Sequence, residues 1–131
     1  MNLTPNMRML LVAILEEIRR LEAVPDRPPG GMDWERWRTF WLERKEYEQF
    51  GVPHDLARWL GHAPTPSESA VFSRTLRNME DLDLLARISR WGGRRATHVQ
   101  LTALGRAAAE KIALENEQGL ALEGERTCGN P

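Results

Sequence analysis

The spacing of apolar residues changes at Asp83, and that change constrains the fold more than any other feature. Before it, apolar residues recur every three or four positions, the period of a helix. After it, Leu84, Ala86 and Ile88 alternate with Leu85, Arg87 and Ser89, and Thr97, Val99 and Leu101 alternate with Ala96, His98 and Gln100. Trp91-Gly92-Gly93-Arg94 separates the two runs. A Gly-Gly pair in that position predicts a hairpin whose two turn residues take positive φ. The helix period then returns. Thr102 is placed to cap a last helix over 103–116, with Leu104, Ala108 and Ile112 at four-residue spacing. The expected fold is mainly α with a small β-hairpin. At 131 residues the chain is one domain long, enough to bury roughly two thirds of its unfolded surface.

The helices ahead of the hairpin have readable ends. Thr4 caps the first, with Pro5 at its first position, where a missing N–H costs nothing. Met7, Leu11, Ile14, Ile18 and Leu21 form its apolar stripe, and Leu10 and Leu15 widen it. Residues 24–32 are a Pro- and Gly-rich loop. Asp33 starts a second helix that Gly51 ends, and Trp34, Trp37 and Trp41 share one of its faces. Those indoles are either an aromatic packing face or a surface for a ligand or partner. Pro53 opens a short third helix, 54–61, with Leu56, Ala57 and Leu60 inward. Thr65, Pro66 and Glu68 make a capping box, a specific start signal for a helix over 66–81 that buries Phe72, Leu76 and Met79. Residues 1–116 read as one domain, with 24–50 as an insert and 117–131 as a fraying tail.

Several function classes are excluded early. Apolar residues make up 41% and charged residues 28%, which argues against a disordered or fibrous chain. Cys128 is alone, so no internal disulfide is expected and a reducing cytoplasm fits. No run is long and apolar enough for a membrane span, and Glu16 and Glu17 interrupt the N-terminal apolar stretch, which predicts no secretory signal. His54, His62 and His98 lack metal-ligand spacing, and no phosphate-binding or nucleophile motif occurs. No enzyme activity, cofactor or metal is expected.

Charge is distributed unevenly. The whole chain has a formal net charge of −1, whereas residues 67–106 carry seven arginines against four acids. Five of those arginines lie between Arg87 and Arg106 without an intervening acid. A short helix, a turn, a capped helix with polar residues outward and an Arg-bearing hairpin is the order of a winged helix-turn-helix. One helix fits the major groove, and a basic hairpin fits the adjacent backbone or minor groove. The candidate DNA contacts are Ser67, Ser69, Ser73, Arg74 and Arg77 on the helix and Arg90, Arg94 and Arg95 on the wing. Arg74 is the leading candidate, with a surface ion pair to Glu80 or Asp81 as its alternative. Arg87 is expected to support the hairpin or a phosphate. Trp91 is expected to pack on the wing's own Arg or on the helix.

Three stretches extend that reading: HDLARWLG (54–61), FSRTLRNMEDLDLLARIS (72–89) and HVQLTALGRAAAE (98–110). They resemble the winged helix-turn-helix of MarR-type transcriptional regulators, whose pattern runs ELA..LG, VSR..RLE..GLV.R and V.LT..G. Phe72-Ser73-Arg74, Met79-Glu80, Leu101-Thr102 and Gly105 occupy the matching positions. Asp83 stands where the pattern has Gly, and the turn HAPTPSE is longer than usual. Asp tolerates the left-handed conformation such a position needs. The resemblance implies a regulator of double-stranded DNA, commonly a homodimer on a palindromic site, with a small-molecule effector in some members. The dimer contact is expected on the stripe of the first helix, on the last helix, or on both. The alternatives are a replication or partition protein of the same fold, or an interaction module docking through the Trp34/Trp37/Trp41 helix.

Overall fold

A computed structural model describes residues 2–128, with side chains described through Gly119. Its elements are α1 (Pro5–Glu22), α2 (Trp34–Phe50), β1 (Val52–Pro53), α3 (Leu56–Leu60), α4 (Pro66–Asp81), β2 (Leu85–Ile88), β3 (His98–Leu101) and α5 (Ala103–Cys128). The three strands form one antiparallel sheet in the order β1-β3-β2. The fold is mainly helical, with a small sheet placed after the helices in a winged-helix topology. No described helix is long and apolar enough to cross a membrane.

Helix α1 is the axis of the molecule. The Thr4 hydroxyl accepts from the Met7 amide at 3.2 Å, and Pro5 occupies the first turn. All seven apolar residues of its widened stripe are buried, five of them at 1% exposure or less. That stripe packs against α5, α2, α4 and α3 within the same chain. It is therefore consumed by the core and is not free for a second copy, contrary to one of the two dimer surfaces expected from sequence.

The sheet departs from the expected hairpin in two respects. Pro53 lies in β1, which pairs with β3 through Val52↔Val99, rather than opening a helix. A two-residue strand carries no readable period, and Pro is tolerated because β1 is an edge strand. Gly51 ends α2 at φ 106° and brings the chain so close to β3 that a Cβ there would lie 2.5 Å from the Val99 carbonyl oxygen. The wing tip is also wider than a two-residue turn. β2 and β3 pair in the register Leu85↔Leu101 to Ile88↔His98, and residues 89–97 form the loop. Of the two glycines, only Gly92 takes positive φ. The loop is closed early because the Thr97 hydroxyl accepts from the Arg90 amide at 2.9 Å.

Two positions lock the sheet to the helices on either side. Asp83 takes φ 60°, the left-handed turn between α4 and β2. Thr102 then donates its hydroxyl to the Asp83 carbonyl and accepts from the Gly105 amide at 3.0 Å, capping α5. Helix α5 continues to Cys128, past the expected end near residue 116. Its Ala, Leu and Glu content favours helix enough to pass Gly119. Residues 129–131 of the expected tail lie outside the described residues.

The short helix also differs in detail. Helix α3 begins at Leu56 with Asp55 as its N-cap, accepting from the Arg58 amide at 3.2 Å. Trp59 is its buried residue, whereas Leu56, Ala57 and Leu60 are half-buried. Gly61 closes it in the left-handed conformation.

Candidate nucleic-acid interface

Helix α4 is held at its start by the predicted capping box. Thr65 Oγ1 accepts from the Glu68 amide at 3.1 Å, and Glu68 Oε1 accepts from the Thr65 amide at 3.0 Å. His62 Nε2 lies 2.9 Å from the other carboxylate oxygen of Glu68. These contacts hold the Glu68 carboxyl below its usual pKa, with the Thr65 backbone N–H as the largest cause. Phe72, Thr75, Leu76 and Met79 bury the inner face.

The outer face is open. Ser67, Ser73, Arg74 and Arg77 are all exposed, and Ser69 is half-buried on the flank. Ser67, Arg74 and Arg77 follow a spacing of seven and three, which puts them in one stripe along the helix. Among the described residues, no carboxylate lies within ion-pair distance of Arg74 or Arg77. Glu80, the partner expected in the alternative reading of Arg74, is instead taken by Arg87. Its carboxylate accepts from the Arg87 amide at 3.0 Å and from that side chain's Nε and Nη2 at 3.2 and 3.1 Å. The backbone contact is the largest reason the Glu80 carboxyl sits below its usual pKa. Arg87 supports the hairpin, as expected.

The wing arginines divide. Arg94 and Arg95 are exposed and, among the described residues, without a carboxylate partner. Arg90 is engaged inside the molecule. Its Nη1 lies 3.2 Å from Glu46 Oε1, and its guanidinium stacks 4.8 Å from the ring centroids of both Phe50 and Trp91. Trp91 itself is 77% exposed, so Arg90 is the face on which it rests. Arg90 thus fastens the wing to α2.

The same carboxylate holds His98. The ring is 4% exposed, with Nε2 at 2.9 Å from Glu46 Oε1 and Nδ1 at 2.8 Å from Thr97 Oγ1. The alternation read from sequence puts His98 on the polar side of its strand. Val99 is buried on the opposite face, and His98 is buried as well because Glu46 and Phe50 of α2 lie over that end of the strand. Glu46 and Glu80 are the anchoring residues that sequence reading missed. Their partners lie 44 and 7 residues away, and no local pattern marks such pairs.

His54 stands where the wing meets the helix pair. Its amide donates to the Thr97 carbonyl at 2.9 Å, and its ring meets the Trp59 ring edge-on at 5.5 Å. Its pKa lies below the ordinary value. Partial desolvation is the largest cause, although the residue is open to solvent on one side, and the charges of Arg95 and Arg87 add to it.

The three indoles of α2 form a ladder, with ring centroids 6.3 Å apart from Trp34 to Trp37 and 5.9 Å from Trp37 to Trp41. Trp37 is buried and donates Nε1 to the Pro25 carbonyl at 2.8 Å, tying down the loop before it. Trp41 is half-buried, and only Trp34 is widely exposed, at 55%.

Compared with known proteins, the chain matches no family model, no curated protein and no solved structure. Its geometry therefore carries the functional reading.

Proposed function

We propose that this protein binds double-stranded DNA sequence-specifically and acts as a MarR-like transcriptional regulator, with α4 in the major groove and the wing on the backbone or minor groove. One observation carries the reading. Residues 67–106 hold seven arginines, and they divide into two kinds. Arg87, Arg90 and Arg106 are paired with carboxylates and brace the fold. Arg74, Arg77, Arg94 and Arg95 are exposed and have no such partner among the described residues. An unpaired guanidinium keeps its donors for guanine or phosphate. Ser67 and Ser73 flank the helix pair of arginines as further donors, with Ser69 less accessible. Arg90 acts by holding the wing in place.

A homodimer would double a modest half-site. The surface left for it is α5 with the start of α1, where Leu104, Leu114 and Met9 are exposed at 46%, 54% and 37%. The interaction-module alternative requires the indole face outward, whereas Trp37 is spent on the loop. The replication or partition alternative uses the same contacts, and only the recognised sequence separates it.

Selection of bound duplexes from a random pool tests the proposal. The expected result is an enriched motif, with two half-sites about one helical turn apart if a dimer binds. Arg74→Ala is expected to relax preference at one position, at a cost of about 1–3 kcal/mol for the favoured base. Recovery of an unenriched pool would overturn sequence-specific binding.

A further inference from the structure

The indole of Trp91 is 77% exposed, more than any other large apolar side chain among the described residues. A single exposed apolar residue is ordinary on a protein surface. Trp91 differs because its backbone and its ring are both held. The Gly92 amide donates to the Ser89 carbonyl at 3.2 Å, so Arg90 and Trp91 are the two central residues of a hydrogen-bonded turn. The Arg90 amide donates to Thr97 Oγ1 at 2.9 Å, which pins that turn to the other side of the loop.

The ring rests on Arg90, whose guanidinium lies over it at 4.8 Å from its centroid. That guanidinium is itself fixed, over the Phe50 ring and against Glu46 Oε1 at 3.2 Å. Among the described residues, no other ring or cation stacks on Trp91. One face of the indole is therefore covered by an anchored cation, and the other is open. Residues 89–97 hold three arginines and no acid. Arg90 is spent on the anchor, whereas Arg94 and Arg95 are exposed and without a carboxylate partner among the described residues. An open π face beside two free guanidinium groups matches a nucleobase beside its phosphates: the base stacks, and the cations take the backbone. An acidic peptide would satisfy the arginines but offers no planar group to the indole.

We propose that Trp91 is a one-sided stacking platform for a single unstacked base of the bound DNA, with Arg94 and Arg95 on the phosphates beside it. In a fully paired duplex both faces of each inner base are already covered. The stack therefore forms where a step has opened, at a flexible pyrimidine–purine step or at an unpaired base. The wing then selects deformable or interrupted duplex, a preference that α4 in the major groove does not supply. Arg90 is a positioning residue for this contact: it touches no base and fixes the plane of the ring. The proposal rests on the DNA reading and adds to it the kind of DNA that the wing takes.

The test compares two short duplexes of one sequence at low salt, one fully paired and one carrying a single bulged 2-aminopurine. The full chain is titrated into each, as wild type, Trp91→Ala and Trp91→Phe. The exposed ring is not part of the core, so the variants are expected to fold as the wild type does. The wild type is expected to prefer the bulged duplex at least about fivefold, the value of one base–aromatic stack, and to quench the 2-aminopurine at saturation. Trp91→Ala is expected to bind the two duplexes equally and to leave the probe bright, while Trp91→Phe recovers part of both effects. Equal binding of the two duplexes by the wild type, or a preference and quenching that persist in Trp91→Ala, would overturn the stacking platform and leave the DNA reading standing. Binding of neither duplex would overturn the DNA reading and the platform with it.

Discussion

Glu80 grips Arg87 by three hydrogen bonds, one of them from the Arg87 backbone amide, and so ties the last turn of α4 to the second strand of the sheet. The outward face of α4 and the wing are thereby held in one relative orientation. Glu80→Ala is expected to lose about 1 kcal/mol, because the pair is partly exposed. Protection of the Arg87 amide from hydrogen exchange should fall with it. The contribution is present at neutral pH and is lost as pH falls below about 4.5 through the lowered pKa of Glu80. Unchanged amide protection in the variant would contradict the clamp.

Gly105 has no room for a side chain. A Cβ there would sit 1.7 Å from the Leu84 carbonyl oxygen, so α5 must move away from β2 to accept one. Gly105→Ala is expected to cost more than about 3 kcal/mol and to disturb the Thr102 cap. Equilibrium unfolding in urea measures it, and a loss below about 1 kcal/mol would show that the close approach is easily relieved.

Thr65→Ala removes one half of the capping box and is expected to cost about 1 kcal/mol, while Thr65→Ser should restore most of it. Thermal unfolding of the two variants side by side makes the comparison. An equal loss in both would point to the methyl group rather than the hydroxyl.

His54 predicts a pH dependence of known sign. Its folded pKa lies below the ordinary 6.5, so well above pH 6.5 neither state carries the proton. As pH falls below 6.5, the unfolded chain binds a proton that the folded chain refuses, and stability declines until the folded pKa is passed. His54→Gln should flatten that part of the stability–pH curve. An identical slope in the variant would assign the decline to another group.

Much of this molecule is legible in its sequence because the signals are local. The Thr4 and Thr65 caps, the α1 stripe and the left-handed Asp83 each depend on neighbours within a few residues, and each is present in the structure. The period change at Asp83 locates the wing for the same reason. What escapes depends on residues distant in the chain. β1 exists only because β3 is there to pair with it, and His98 is buried only because α2 brings Glu46 over the sheet. The tip of the wing differs from expectation because Gly92-Gly93 resembles a tight turn, whereas Thr97 closes the loop several residues earlier. Of the candidate arginines, the structure leaves Arg74, Arg77, Arg94 and Arg95 available and commits Arg90 to the fold.

The central claim is that unpaired guanidinium groups on α4 and the wing meet a DNA duplex. Binding to random-sequence duplex across a salt series tests it most directly, with the wild type beside the double variant Arg94→Ala/Arg95→Ala. The expected result is wild-type binding at low salt and a log–log salt slope shallower in the variant by roughly 0.9 for each phosphate it no longer neutralises. Absence of binding at low salt, or identical slopes for the two proteins, would contradict it.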